Sequence, residues 1–185
     1  MTDTFNLDRF LTAQERDYAA ALSELGTGFK ASHWIWYIFP QHVDLGRSAT
    51  ARLYGIASLQ EAAAYFHHPV LGARLIEATE AALASGVTDP TALFGSPDDL
   101  KVRSCLTLFL EVEPGEETLA RALTTFYGGR RDEKTLDLLY PDRVAEGDGD
   151  DDGPSAQLTE KARHSDQKAG NPSHEANGSE ATLKS

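Results

Sequence analysis

The residue types best suited to recognising a small molecule lie in one aromatic segment, residues 30–41. This segment holds both tryptophans of the chain, Trp34 and Trp36, with His33 beside them and Gln41 at its end. Indole rings can stack on a planar group such as a nucleobase, while imidazole and amide groups supply directional hydrogen bonds that fix its orientation. The segment therefore predicts a stacking slot with polar neighbours. The alternative is that both tryptophans are core residues whose indole N–H groups bond backbone carbonyls.

Basic side chains surround this segment in a chain whose formal charge is −12. Lys30 opens the segment, Arg47 and Arg52 follow it, and Ser48 is placed to begin a helix whose backbone amides can face an anion. Together with the aromatics, these residues predict a phosphate-bearing planar ligand. The alternative is that the cations are ordinary ion-pair partners of nearby acids. The predicted ligand-binding residues are Lys30, His33, Trp34, Trp36, Gln41, Arg47, Ser48 and Arg52.

Metal and catalytic chemistry lack their usual motifs. Cys105 is the only cysteine, and the histidines do not follow a metal-ligand spacing such as His-Glu-x-x-His, so we predict no metal site. His33 or His68 beside a serine would be the candidates for a general base and a nucleophile, but no nucleophile-elbow motif accompanies them. Catalytic residues, cofactors and enzymatic activity therefore stay open at this stage.

The overall composition narrows the class of protein. An acidic chain without a broad basic face is not expected to bind nucleic acid. No apolar run approaches the roughly 20 residues that span a bilayer, so we expect no membrane partner. The N-terminus shows no secretory signal, which favours the cytoplasm. A small molecule is the expected partner, and the oligomeric state is left open.

Helix start and stop signals divide the chain into about seven helices. The segments Thr12–Glu15 and Ser58–Glu61 read as capping boxes, Ser96 before Pro97 reads as an N-cap, and Asp132 can cap a last helix. Apolar residues at spacings of three and four follow each signal. The predicted fold class is all-α, a single compact domain.

The aromatic segment is ambiguous when it is considered alone. Its aromatics and isoleucines favour a strand, but the chain offers few segments that could pair with one. Ser32 can instead cap a short helix from His33 to Phe39, which Pro40 would end. We therefore predict a helix here.

The composition changes at about Val144. Beyond this residue the chain is rich in Gly, Asp, Ser, Asn, Glu and Lys, with little that is apolar except Leu158 and Leu183. Such a segment cannot bury enough surface to offset its ordering entropy. We predict a helical domain over residues 1–143 and a disordered acidic tail over residues 144–185.

Several separate segments together resemble a bacterial family known as domain of unknown function 1810. They are Lys30 with Ser32–Gln41, Leu45–Gly46, Ser48, Tyr54–Ile56, His68–Gly72, Arg74–Leu75, Asp99–Lys101, Ser104, Thr107–Phe109, Asp132 and Thr135–Leu136. The resemblance covers nearly the whole predicted domain. It implies a mainly helical fold and carries no established activity. Some members are labelled calpastatin-like, a label that implies an extended disordered inhibitor and does not suit a capped helical domain.

Two classes of function are carried forward from the sequence. The first is a small-molecule site at the aromatic segment, and the second is a noncatalytic protein-interaction module that uses a partly exposed aromatic face. A concave pocket lined by His33, Gln41 and a basic side chain would favour the first. A flat aromatic patch of more than a few hundred Å² would favour the second.

Overall fold

The computed structural model describes residues 5–145, in which ten α-helices and one short 3₁₀ helix occur. The α-helices are α1 Asp8–Thr27, α2 Ile35–Ile38, α3 Ala49–Leu53, α4 Leu59–Phe66, α5 Leu71–Ala84, α6 Pro90–Phe94, α7 Asp98–Val112, α8 Glu117–Tyr127, α9 Glu133–Leu139 and α10 Asp142–Ala145. The 3₁₀ helix Val43–Leu45 lies between α2 and α3. The all-α prediction is confirmed. None of the helices within these residues has the length and apolar character of a membrane span.

Helix α7 lies at the centre of the fold. It packs against α2, α4, α6, α8 and α9, and every residue from Ser104 to Leu110 is buried. A helix that is covered on all sides needs no polar face, so its apolar residues need not follow the helical spacing. This is why the second half of the α7 sequence can alternate as a strand does. The length of the segment and the acidic residues at its start correctly favour a helix.

Three of the predicted helix caps are confirmed. The hydroxyl of Ser58 accepts a hydrogen bond from the amide of Glu61 at 3.1 Å, and the hydroxyl of Ser48 accepts one from the amide of Ala51 at 3.0 Å. Asp132 caps α9 in the same way. Each cap depends on residues only two or three positions apart, so the local sequence is enough to predict it.

The capping box predicted at Thr12 is wrong. Helix α1 begins at Asp8, so Thr12 lies inside it, and the helix continues past Gly26 to end at Gly28 with φ +78°. The additional N-terminal turn is stabilised by Phe10, which is completely buried. Burial of this aromatic ring outweighs the preference of a threonine for the N-cap, which is worth about 1 kcal/mol.

The caps predicted at Ser32 and Ser96 are also wrong. Helix α2 has Trp34 at its N-cap and no side-chain cap, and the Ser32 hydroxyl instead donates to a carboxylate of α1. Helix α7 has Pro97 at its N-cap, one residue later than predicted, again with no side-chain cap. Ser96 therefore lies outside the helix and bonds none of its first amides.

The predicted division at residue 143 stays a prediction. Helix α10 continues to Ala145, and the remainder of the predicted disordered tail lies outside the described residues.

Candidate functional site

The aromatic segment forms part of the hydrophobic core. Trp34, Ile35, Tyr37, Ile38 and Phe39 are no more than 4% exposed, and only Trp36 is half-buried. Two residues that are two apart on a helix point about 200° apart, so the two indoles face different surroundings. They do not form a slot between them.

A carboxylate from α1 fixes the start of this segment. Glu24 Oε2 accepts hydrogen bonds from the amides of Ala31 at 2.8 Å and Ser32 at 3.0 Å and from the indole N–H of Trp34 at 2.8 Å. Its Oε1 accepts from the Ser32 hydroxyl at 2.6 Å. Burial opposes ionisation of Glu24, but these hydrogen bonds outweigh it and lower the pKa to about 2. The indole is thus satisfied by a side chain and not by a backbone carbonyl.

Glu24→Gln is expected to lower the free energy of unfolding by about 1–3 kcal/mol at neutral pH, because the new NH₂ group cannot accept these hydrogen bonds. The pKa of Glu24 in the folded protein is below its ordinary value of 4.5, so its contribution is complete above about that pH. The contribution is lost as the pH falls toward 2. Urea unfolding at several pH values should therefore show the difference between wild type and Glu24→Gln shrinking in acid.

The matched control for this experiment is Glu15→Gln, at an exposed position of the same helix. It should differ from wild type by less than about 0.5 kcal/mol at neutral pH. A Glu24→Gln difference that stayed constant from pH 7 to pH 2 would contradict the role given to the carboxylate.

Two lysines share one carboxylate beside the tryptophans. Lys30 Nζ and Lys101 Nζ each lie 2.6 Å from an oxygen of Asp98. Partial burial opposes ionisation of Asp98, but hydrogen bonds from Lys101 and Lys30 hold its pKa below the ordinary value. The side chain of Lys30 is 6% exposed and stands over Trp34, while Lys101 Nζ stands 4.7 Å from the ring centre of Trp36. The charge of Lys30 is thus used inside the fold, in its ion pair with Asp98. One face of Trp36 is covered by Lys101.

A cleft of about 440 Å³ lies beside Lys101. It is bounded by the loop after α2, the first half of α7 and the start of α9. Its lining residues are Gln41, Leu45, Pro97, Leu100, Lys101, Arg103, Ser104, Asp132 and Lys134. This volume is within the range of small-molecule sites.

Gln41 is held on the cleft wall by its backbone. Its carbonyl accepts from the amide of Ile56 at 3.0 Å, and the amide of Val43 donates to the carbonyl of Ile56 at 2.9 Å. These two bonds form a parallel bridge between two loops. Within residues 5–145 the side-chain amide of Gln41 has no hydrogen-bond partner, so its donor and acceptor groups are free for a ligand.

Asp132 is fixed on the opposite wall. Its Oδ2 accepts from the Ser104 hydroxyl at 3.0 Å, the Thr135 amide at 3.0 Å and the Thr135 hydroxyl at 2.7 Å. Its backbone N–H donates to the Thr107 hydroxyl at 2.8 Å. Within the described residues Oδ1 has no partner, and it is not a buried atom. Asp132 therefore presents one rigidly held, unused carboxylate oxygen.

The cleft is basic although the chain is acidic. Among the residues that the structure describes, Arg103 donates only to backbone carbonyls, those of Arg130 at 3.1 Å and Arg131 at 2.5 Å. Lys134 is exposed and forms no ion pair within residues 5–145. With Lys101, the lining contains three cations and one carboxylate. This arrangement is suited to an anionic ligand.

The predicted site residues are only partly brought together. Gln41 lines the cleft, and Lys30 and Trp36 contact the Asp98–Lys101 pair beside it. The others lie elsewhere: Trp34 in the core, His33 exposed, Ser48 as the cap of α3, and Arg47 and Arg52 exposed on or beside α3. Five further cleft residues were not among the predicted ligand-binding residues: Lys101, Arg103, Ser104, Asp132 and Lys134.

No group of three or more His, Cys, Asp or Glu side chains in residues 5–145 is arranged to hold a metal ion. These residues thus define a helical domain with one basic, partly apolar cleft.

Comparison with known proteins identifies the family. Residues 4–139 match the family described as "Protein of unknown function (DUF1810)", and the chain belongs to this family, as the resemblance implied. The crystal structure of the conserved hypothetical protein Rv1873 from Mycobacterium tuberculosis is similar, with 42% sequence identity and a TM-score of 0.72. The similarity covers 74% of this chain and 98% of that one. Comparison with curated proteins found no match.

Proposed function

We propose that this protein binds a small phosphate-bearing molecule in the cleft between the Gln41 loop, α7 and α9. The observation that supports the proposal is the charge of the lining: Lys101, Arg103 and Lys134 line the cleft with one carboxylate, Asp132, in a chain of net charge −12. Lys101 also bonds Asp98 beside the cleft, but Lys30 shares that carboxylate, so the group of lysines and Asp98 keeps a net positive charge. Cations gathered in a concave site raise the local concentration of an anion. Lysine and arginine are the side chains that proteins use to bind phosphate.

The rest of the ligand would contact an aliphatic wall. Leu45, Pro97 and Leu100 line the cleft, and Leu100 is 57% exposed. A planar ring would lie against this wall and not between two indoles, because Trp34 is buried and Lys101 covers one face of Trp36.

Burial of the aromatic segment disfavours the protein-interaction alternative. Five of its six large apolar residues are in the core, which leaves Trp36 with too little area to form a docking face by itself. The absence of a nucleic-acid partner, expected from the acidic charge, stays part of the proposal.

A thermal-shift screen of phosphate-bearing compounds tests the proposal. A ligand present at about 100 times its Kd stabilises the folded state by about 2.7 kcal/mol. This corresponds to a rise in Tm of several degrees for a domain of this size. The screen should include inorganic phosphate, sugar phosphates and nucleoside phosphates. If none of them raises Tm at millimolar concentration, the proposal fails.

Lys134→Glu is expected to weaken binding of an active phosphate compound at least about tenfold, which corresponds to about 1.4 kcal/mol. Lys134 is exposed and unpaired within the described residues, so the substitution should leave the fold intact. Arg47→Glu is the matched control, because it changes the net charge equally at an exposed position outside the cleft. Its Kd, measured by titration calorimetry, should stay within about twofold of wild type. Equal weakening of binding by both substitutions would indicate a general charge effect and contradict a binding site in the cleft.

A further inference from the structure

The cleft contains a carboxylate, Asp132, whose negative charge opposes the binding of a bare phosphate. Asp132 repels an anion, and its structural role uses only Oδ2, which accepts three hydrogen bonds. An asparagine oxygen could accept the same three hydrogen bonds without the negative charge. The unused Oδ1 therefore indicates that the ligand carries hydrogen-bond donors as well as a phosphate.

We propose that the ligand is a phosphate ester with neighbouring hydroxyl groups, of the sugar phosphate or nucleotide class, and that Asp132 Oδ1 accepts its hydroxyl hydrogens. This inference rests on the proposed function. Hydrogen bonds from a hydroxyl to a carboxylate are among the stronger neutral-to-charged bonds in proteins. The amide of Gln41, which has no partner within residues 5–145, supplies a second donor and acceptor on the same cleft.

The positions of the charged groups fit a single bifunctional ligand. Lys101 and Ser104 are three residues apart on one face of α7, and the Ser104 hydroxyl donates to Asp132, the N-cap of α9. Lys134 lines the same cleft from the first turn of α9. Each of the two helices thus contributes a cation to the cleft, and Ser104 of α7 also holds the Asp132 carboxylate in place. Three hydrogen bonds to Oδ2 and one from the backbone N–H of Asp132 fix this residue before the ligand arrives, so little ordering entropy is lost on binding.

Asp132→Asn tests this inference with little change of shape. The asparagine oxygen can keep the three hydrogen bonds now made by Oδ2, which places an NH₂ donor where the free oxygen was. Calorimetry should compare ribose 5-phosphate, which has hydroxyls, with ethyl phosphate, which has none. We expect wild type to bind ribose 5-phosphate at least about tenfold more tightly than ethyl phosphate, a difference in binding free energy of about 1.4 kcal/mol. In Asp132→Asn this preference should fall to about twofold or less.

Each other outcome has a distinct meaning. If wild type binds both phosphates equally, or if the preference persists in Asp132→Asn, the hydroxyl inference is overturned although phosphate binding stands. If neither compound binds, the proposed function itself fails. Asp89→Asn is the control, since Asp89 caps α6 through the amide of Thr91 and does not line the cleft. Adenosine 5′-monophosphate separates the two sources, because tighter binding than ribose 5-phosphate supports a nucleotide and weaker binding supports a sugar phosphate.

Discussion

Trp34→Ala is expected to lower the free energy of unfolding by about 3–5 kcal/mol, whereas Trp36→Ala should lower it by only about 1–2 kcal/mol. Trp34 is completely buried, so its removal leaves a cavity and also leaves Glu24 Oε2 without the indole donor. Trp36 is half-buried at the edge of the same core, and the space it leaves is open to solvent.

Chemical unfolding followed by far-UV circular dichroism measures this difference without relying on the tryptophans as fluorophores. Trp34→Phe separates the two contributions at Trp34, because phenylalanine keeps most of the ring volume but lacks the N–H group. We expect it to be more stable than Trp34→Ala and less stable than wild type. Equal losses for Trp34→Ala and Trp36→Ala would contradict the assignment of one indole to the core and the other to its edge.

Arg9→Met is expected to cost about 3–5 kcal/mol, because it strands the carboxylate of Glu61 in a buried position. Arg9 Nη2 lies 2.5 Å from Glu61 Oε1, and the two side chains are 13% and 7% exposed. The guanidinium also donates to the carbonyls of Leu53 at 2.8 Å and Gly55 at 3.1 Å, so it ties α1 to the link between α3 and α4. Thermal or chemical unfolding of the variant measures the cost.

The double variant Arg9→Met with Glu61→Met identifies the cause. It removes the stranded charge together with its partner, so it should be more stable than Arg9→Met alone. Arg143→Met is the control for losing an ion pair, since Arg143 and Glu133 are 48% and 66% exposed, and it should cost less than about 1 kcal/mol. If the double variant is no more stable than Arg9→Met, the lost contacts to backbone carbonyls explain the effect and the stranded charge does not.

The sequence predicted helices well where their signals are local. The caps at Ser48, Ser58 and Asp132 depend on neighbours within three residues, and all three are present in the structure. The signals at Thr12 and Ser96 are equally good locally, but there the helix start is decided by tertiary packing, as at Phe10, or by the adjacent Pro97. Local patterns do not contain that information.

The candidate site was less predictable, because it is assembled from distant segments. Gln41, Lys101 and Asp132 are separated by 30 residues or more in sequence, and only the packing of α7 against α9 and the Gln41 loop brings them together. Lys134 and Arg103 resemble ordinary surface charges when the sequence is read alone. The sequence identified Asp132 as a helix cap. Only the structure shows that Ser104 and Thr135 both donate to Oδ2 and that Oδ1 has no partner within the described residues.

The ion pairs show the same limitation. The alternative for the cations near the aromatic segment was pairing with nearby acids, but Glu61 pairs with Arg9, 52 residues away. Likewise, the alternative that placed both tryptophans in the core gave the indole of Trp34 a backbone carbonyl as its partner, and it bonds Glu24. Sequence spacing can suggest that a polar group needs a partner, but it cannot identify a partner that a separate helix supplies.

Nuclear magnetic resonance can locate the binding site directly. ¹⁵N-labelled protein should be titrated first with inorganic phosphate and then with ribose 5-phosphate. The cleft predicts that the largest saturable shifts occur at the side-chain amide of Gln41 and at the backbone amides of Ser104 and Lys134, while those of Arg47 and Arg52 stay unchanged. Saturable shifts centred on Arg47 and Arg52, or no saturable shift with either compound, would contradict a phosphate site in the cleft.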